Sequence, residues 1–156
     1  MADPLKVIRY EAAAAVAFGP LSEYRALVTD DYSDLTIRTG IQICRPGYEA
    51  KPHWHPYIEV LHVLDGEAEA WEVGREQFRA VLRAGDTVVI PARTWHSFRV
   101  SGEHTLRLLG THLSNQRIVH YDDGSTSVGG KAPARSALSS DAQPPVAADA
   151  TQAPRR

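Results

Sequence analysis

Turn signals recur every few residues between Leu35 and Leu113, which limits each intervening segment to one short strand. Asp65-Gly66, Val73-Gly74, Ala84-Gly85-Asp86 and Ser101-Gly102 supply the breaks. In the first segment Ile37, Thr39, Ile41 and Ile43 alternate with Arg38, Gly40, Gln42 and Cys44, the pattern of a half-buried strand, and Gly47 closes it. Further strands are expected over 51–55, 59–64, 67–73, 77–82, 87–90, 96–100 and 106–113. Many short strands separated by turns predict an all-β sandwich or barrel.

The flanks read differently. Pro4, Gly19 and Pro20 punctuate a lead-in segment, 1–34, expected to pack on the barrel, in which 21–27 forms either a short helix or an outer strand. The apolar run from Ala12 to Phe18 follows Glu11 directly and stops at Gly19-Pro20, too short for a membrane span. Beyond 129 the chain turns to Ala, Pro, Ser, Asp and Gln, with few large apolar residues to offset the entropy of ordering. A disordered tail over 130–156 is expected, leaving 35–129 as a single barrel domain.

Composition excludes some functions. Seventeen Lys and Arg against nineteen Asp and Glu give a formal charge of -2, which provides no basic field for nucleic acid. Cys44 is the single cysteine, so no internal disulfide can form. With no long apolar leader and no membrane-length segment, a cytoplasmic location is expected.

Four metal-ligating side chains stand between these turns. His53 and His55 lie two apart, so on a strand both imidazoles would project from one face, and Glu59 shares their parity. His96 arrives on a separate strand after the Pro91 turn. Neutral imidazoles with one carboxylate form a nitrogen and oxygen donor set suited to one divalent transition metal, whether Fe, Mn, Ni, Cu or Zn. Around a six-coordinate ion, four protein ligands would leave two positions for substrate, water or dioxygen.

The two segments resemble the two sequence motifs of the cupin superfamily over roughly 37–112. Gly47, His53, His55, Glu59 and Gly66 match the first motif at every defined position. Gly85, Pro91 and His96 match the second, whereas Arg93 takes the usual Gly position and Val100 the usual Asn position. Arg at a turn that favours Gly puts the local geometry in question, since positive φ is costly for a residue with a Cβ. The resemblance implies a double-stranded β-helix, or jelly-roll, binding one divalent metal.

The activity implied mainly by this resemblance is that of a metal-dependent small-molecule enzyme, a dioxygenase acting on an oxygen-bearing substrate bound at the metal. The alternatives are a Lewis-acid isomerase, lyase or cyclase at the same metal, and a binding module that leaves its small molecule unchanged. His112 shares parity with Leu106, Leu108 and Gly110, which points it toward the barrel interior as an acid or base candidate. His62 has the opposite parity to Glu59 and points away, and Trp54 and Trp95 alternate away from the ligands they flank. Tyr48 and Tyr57 read as turn phenols, Arg93 as a solvated turn residue and Cys44 as a small packed one. A homodimer is expected through outer strands, with the alternation of Arg38 to Cys44, Trp54 and Trp71 as the contact.

Overall fold

A computed structural model describes residues 5–29 and 35–129. The tail expected over 130–156 lies outside the described residues. The described residues form twelve strands: β1 (Ala15–Ala17), β2 (Ser22–Val28), β3 (Arg38–Cys44), β4 (His53–Trp54), β5 (Glu59–Asp65), β6 (Glu67–Glu72), β7 (Ala80–Arg83), β8 (Thr87–Ile90), β9 (His96–Val100), β10 (Leu106–His112), β11 (Arg117–Tyr121) and β12 (Thr126–Gly129). They form two six-stranded antiparallel sheets, in the orders β1-β2-β3-β10-β5-β8 and β12-β11-β4-β9-β6-β7. The chain crosses repeatedly from one sheet to the other, as expected of a jelly-roll.

Several expectations are refined. The segment 21–27 is a strand, and with β1 it extends the first sheet beyond β3. Residues 76–78 form a 3-10 turn, so the strand expected from 77 begins only at Ala80. Two strands, β11 and β12, follow the last one expected. The buried face of β3 is also the reverse of the apolar one: Arg38, Gly40, Gln42 and Cys44 point inward, while Thr39, Ile41 and Ile43 are half-buried on the outside. A contact between copies built on Arg38, Gln42 and Cys44 is thereby corrected, because those side chains line the barrel.

The reason for the reversal is visible in the strand register. Arg38, Gly40, Gln42 and Cys44 pair with His112, Gly110, Leu108 and Leu106 on β10, and β10 in turn sets His112 beside Glu59 and Gly110 beside Leu61 on β5. These rows grade from apolar to polar along the barrel. At one end Cys44, Leu106 and Val63, all fully buried, pack with Phe98 and Val100 from the opposite sheet. Burial of each large aliphatic chain there contributes about 1.5–3 kcal/mol. At the other end stand Arg38, His112 and Glu59.

Between the two ends the first sheet carries Gly40 and Gly110 side by side. Their missing side chains leave room above the sheet, and the Tyr24 ring reaches across Gly40 into it. A Cβ on Gly40 would collide with that ring and would come within 2.6 Å of the Arg25 carbonyl oxygen, whereas one on Gly110 would meet Leu61 at an ordinary 3.6 Å. Gly40→Ala is therefore expected to destabilise the fold by about 1–3 kcal/mol, the range for overpacking, and Gly110→Ala by much less. Equilibrium urea unfolding of the two variants checks this, and equal midpoints would contradict it.

Candidate metal centre

The two sheets supply the ligand candidates from opposite sides. His53 on β4 lies directly across from His96 on β9 in the second sheet. His55 follows the end of β4, and Pro56 to Ile58 carry the chain over to the first sheet, where Glu59 opens β5. Parity along one strand is therefore not what gathers His53, His55 and Glu59. The chain folds over the barrel mouth, so Glu59 faces the histidines from the opposing sheet. All four residues are buried, and one donor atom from each lies within 4.8 Å of the others.

Arg93 keeps the turn that brings His96 in. Its φ of 64° is the only positive value for a non-glycine residue among those described, so it adopts the left-handed conformation that glycine would take more cheaply. Its backbone N–H donates to the His55 carbonyl at 2.7 Å, tying this turn to the first ligand segment. The departure from the motif thus leaves the geometry intact at a backbone cost of about 1–2 kcal/mol.

Each imidazole is oriented by a backbone carbonyl. Nδ1 of His53 lies 2.7 Å from the Lys51 oxygen, Nδ1 of His55 2.6 Å from the Ile118 oxygen and Nδ1 of His96 2.8 Å from the Thr94 oxygen. A carbonyl oxygen only accepts, so in each ring Nδ1 carries the proton and a neutral ring presents its Nε2 lone pair inward. Those lone pairs meet the Glu59 carboxylate: Oε2 is 3.0 Å from His96 Nε2 and 3.4 Å from His55 Nε2. Acceptors facing acceptors in a buried space are held together by a proton or a metal ion between them, and this donor set fits one divalent metal ion.

The electrostatics favour the same state. Burial, reinforced by the neighbouring His96 and His55, holds the His53 pKa well below its usual range. Burial likewise brings His55 down to about 4, although Glu59 opposes the shift. For Glu59 itself, burial acts to raise the pKa, but His55 and His112 outweigh it and hold the carboxyl well below the usual range. At neutral pH the cluster presents neutral His53 and His55 imidazoles and an ionised carboxylate, the forms that bind metal.

His112 enters the barrel, as its parity predicts. Its Nε2 lies 3.1 Å from Glu59 Oε1, the oxygen turned away from the other histidines, and its Nδ1 lies 3.0 Å from the Tyr57 hydroxyl. Nε2–H of His112 donates to the carboxylate, and the single proton of the Tyr57 hydroxyl is shared between the Ile118 carbonyl, 3.1 Å away, and His112 Nδ1. The Tyr57 oxygen also accepts from the Ile118 N–H at 2.9 Å. Tyr57 is therefore part of the site and not an exposed turn phenol.

Beside Glu59 and His112 a cleft opens over Gly110, lined also by Tyr24, Gln42, Arg38 and Arg117. Arg38 and Arg117 were not read as site residues. Arg117 sits on the overlooked β11, whose signal was the run Ile118-Val119-His120-Tyr121 ahead of Asp122-Asp123-Gly124. Arg38 carried the wrong facing assignment on β3.

The remaining candidates fall outside the cluster. His62 is half-buried with Nδ1 2.8 Å from the Thr87 hydroxyl, and Trp54 stacks on His120 at 3.8 Å. Trp95 packs against Val119 and Tyr121. Tyr48 is buried in the apolar end and receives a hydrogen bond from Gln42 at 3.1 Å, which corrects its assignment as an exposed turn phenol. Arg93 is exposed. Cys44 is fully buried, and desolvation pushes its thiol up to about 12, the state of an inert packed residue. No helix among the described residues is long and apolar enough to cross a membrane.

Comparison with known proteins agrees with this geometry. Residues 40–112 match the cupin domain family. The chain is 34% identical over 109 residues to Protein SchB of Streptomyces halstedii, covering 67% of this chain and 77% of that protein. Among solved structures, a cupin-like protein from Thermotoga maritima superposes with a TM-score of 0.56 at 23% identity, over 70% of this chain and 76% of that one. A predicted oxalate decarboxylase from the same organism gives 0.63 at 19% identity, over 70% and 99% of the respective chains.

The depressed histidine values carry a pH dependence whose sign is fixed. Unfolding restores His53 and His55 to about 6.5, so between pH 6.5 and about 4 the unfolded chain binds more protons than the folded one. Stability of the chelated, metal-free protein is expected to fall across that window, with a slope of about 1–3 kcal/mol per pH unit for the two groups. Urea midpoints at pH 7.0, 5.5 and 4.5 check this, and a flat profile would contradict the buried neutral state.

Proposed function

The chain belongs to the cupin superfamily, and on that footing we propose that it is a divalent-metal-dependent enzyme that carries out dioxygenation of a small oxygen-bearing substrate. The observation that carries this reading is the buried cluster of three imidazoles and one carboxylate with a cleft opening beside Glu59. Two histidines and a carboxylate with open positions are the donor pattern of non-haem iron oxygenases, and this cluster contains that pattern. A bound redox-active ion supplies the place where an anionic substrate oxygen and dioxygen come within reach of one another.

The chain's own residues do the rest. The carbonyls of Lys51, Ile118 and Thr94 fix the three rings. His112 holds Oε1 of Glu59, which leaves Oε2 directed at the cluster. Phe18, Leu61 and Leu108 form apolar walls of the cleft, limiting water at the reacting atoms. A second reading, a Lewis-acid isomerase, lyase or cyclase, is favoured by the contact between His112 Nδ1 and the Tyr57 hydroxyl. That pair provides a place to hold and pass a proton next to the bound substrate.

The two readings separate experimentally. Apoprotein is loaded with Fe, Mn, Ni, Cu or Zn in turn and oxygen uptake is followed with diketones, catechols and hydroxyketones. Dioxygenation predicts uptake with redox-active ions and none with Zn. Product formation by the Zn form without oxygen uptake would replace it with the Lewis-acid reading. His53→Ala and His96→Ala should lose bound metal and lower turnover by more than the roughly 10- to 100-fold typical of losing a ligand's hydrogen-bond partner. Stoichiometric metal in both variants would contradict the proposed ligand set.

A further inference from the structure

The strands β7 and β8 follow one another through a tight turn, yet each ends a different sheet. At that turn Val63 on β5 accepts from the Gly85 N–H at 2.9 Å and donates to the Asp86 carbonyl at 3.0 Å, which pins the start of both strands to one place. From there they part, and the space between the two sheet edges is a wedge. Leu82, buried in the apolar core, closes its narrow end. Two residues further from the turn, on the same face of β7, comes Ala80, which pairs directly with buried Ala70 on β6. Two methyl groups at that level leave the wide end open.

The opening is a pocket of about 220 Å³ that runs in to the ligand candidate His96. Leu61, Val88, Ile90 and Phe98 wall it, while Phe78 and Val89, 69% and 60% exposed, stand at its mouth. The 3-10 turn over 76–78 holds Phe78 there, with the Arg75 guanidinium 5.6 Å from the ring centre. Exposed apolar side chains around an apolar recess mark a surface that a ligand covers. Among the described residues lining the pocket Glu72 is the sole acid, and it is paired with exposed Arg75 at 3.2 Å; no Lys or Arg lines the wall. The Ser97 hydroxyl is committed to the Ala50 carbonyl. A charged ligand buried here would find no opposite charge, so the pocket favours a neutral one.

We propose that this wedge binds the uncharged, apolar body of the substrate, and that the body is of one- or two-ring size. An apolar cavity of roughly 150 Å³ holds benzene, so the larger space here takes a substituted ring or a second one. Ala70 and Ala80 set how far that body can extend, which makes them specificity-determining residues. Leu61 borders both this pocket and the cleft beside Glu59, so the ligand cluster is reached from two directions. The approach of a substrate oxygen to a metal beside His96 rests on the metal-enzyme reading above; the binding of the apolar body does not.

The test is direct binding, without turnover, of neutral 2-naphthol and charged 2-naphthalenesulfonate to the full chain by titration calorimetry. It is run on metal-free and Zn-loaded protein. Naphthol should bind both forms, and the sulfonate should bind at least about 10-fold more weakly. A80W, which places a large ring in the wide end, should weaken naphthol by about 10-fold or more, while V81W, on the opposite face of the same strand, should leave it unchanged. F78A, which only removes atoms from an exposed ring, should weaken it by about 3-fold, and melting curves establish that the variants are folded. No naphthol binding by wild-type protein, equal binding of the sulfonate, or equal losses in A80W and V81W overturns the proposal. So does self-association that A80W and F78A abolish in a protein that takes up no naphthol, which makes a second copy the occupant of the wedge. Zn uptake without naphthol binding overturns the pocket and leaves the metal reading standing. Naphthol binding that A80W blocks, in a protein that takes up no Zn, does the reverse.

Discussion

Three imidazoles and a carboxylate oxygen are turned toward one another in a buried space, a donor set that one divalent metal ion would satisfy. Nothing at this centre leaves the rings free to turn away. Each Nδ1 is committed to a backbone carbonyl, two of them only two residues away in sequence and the third on β11. The orientation is thus built into the backbone before any ion arrives, and the low pKa of His55, about 4, follows from the same burial that makes a proton an inferior occupant.

The barrel around this centre is organised to keep one end solid and the other open. Cys44, Leu106, Leu108 and Val63 fill the first sheet's half of the apolar end at close to zero exposure. One row further on, Gly40 and Gly110 remove side chains where an apolar core would have continued, and Tyr24 lies over the first of them. The cleft beside them is lined by Glu59, His112, Arg38 and Arg117. A single register thereby decides both the packing of the core and the chemistry offered to a ligand.

Much of this was legible in the chain. Turn spacing and period-two patterning gave the all-β class and most strands between β3 and β10, and the motif resemblance gave the ligand set. The inward turn of His112 came from parity alone. What escaped were features set by tertiary context. On β3 the isoleucines look like the core face, yet they lie outside because the barrel interior is polar at that level and needs Arg38, Gly40 and Gln42 facing in. His55 and Glu59 share parity, but their meeting depends on the chain changing sheets between them, which periodicity does not report. Arg117 and the His55 carbonyl partner both sit on β11, a strand whose short run was passed over.

Arg93 illustrates how local rules yield to the surrounding structure. A glycine would suit its φ of 64°, yet the turn survives because the backbone N–H is held by His55 and the flanking strands β8 and β9 are anchored in different sheets. The most direct test of the central claim is X-ray absorption of the full chain loaded with one equivalent of Zn. The account predicts a shell of nitrogen and oxygen donors at about 2.0–2.2 Å with the outer scattering of three imidazoles. A sulfur shell, or scattering from fewer than two imidazoles, would contradict it.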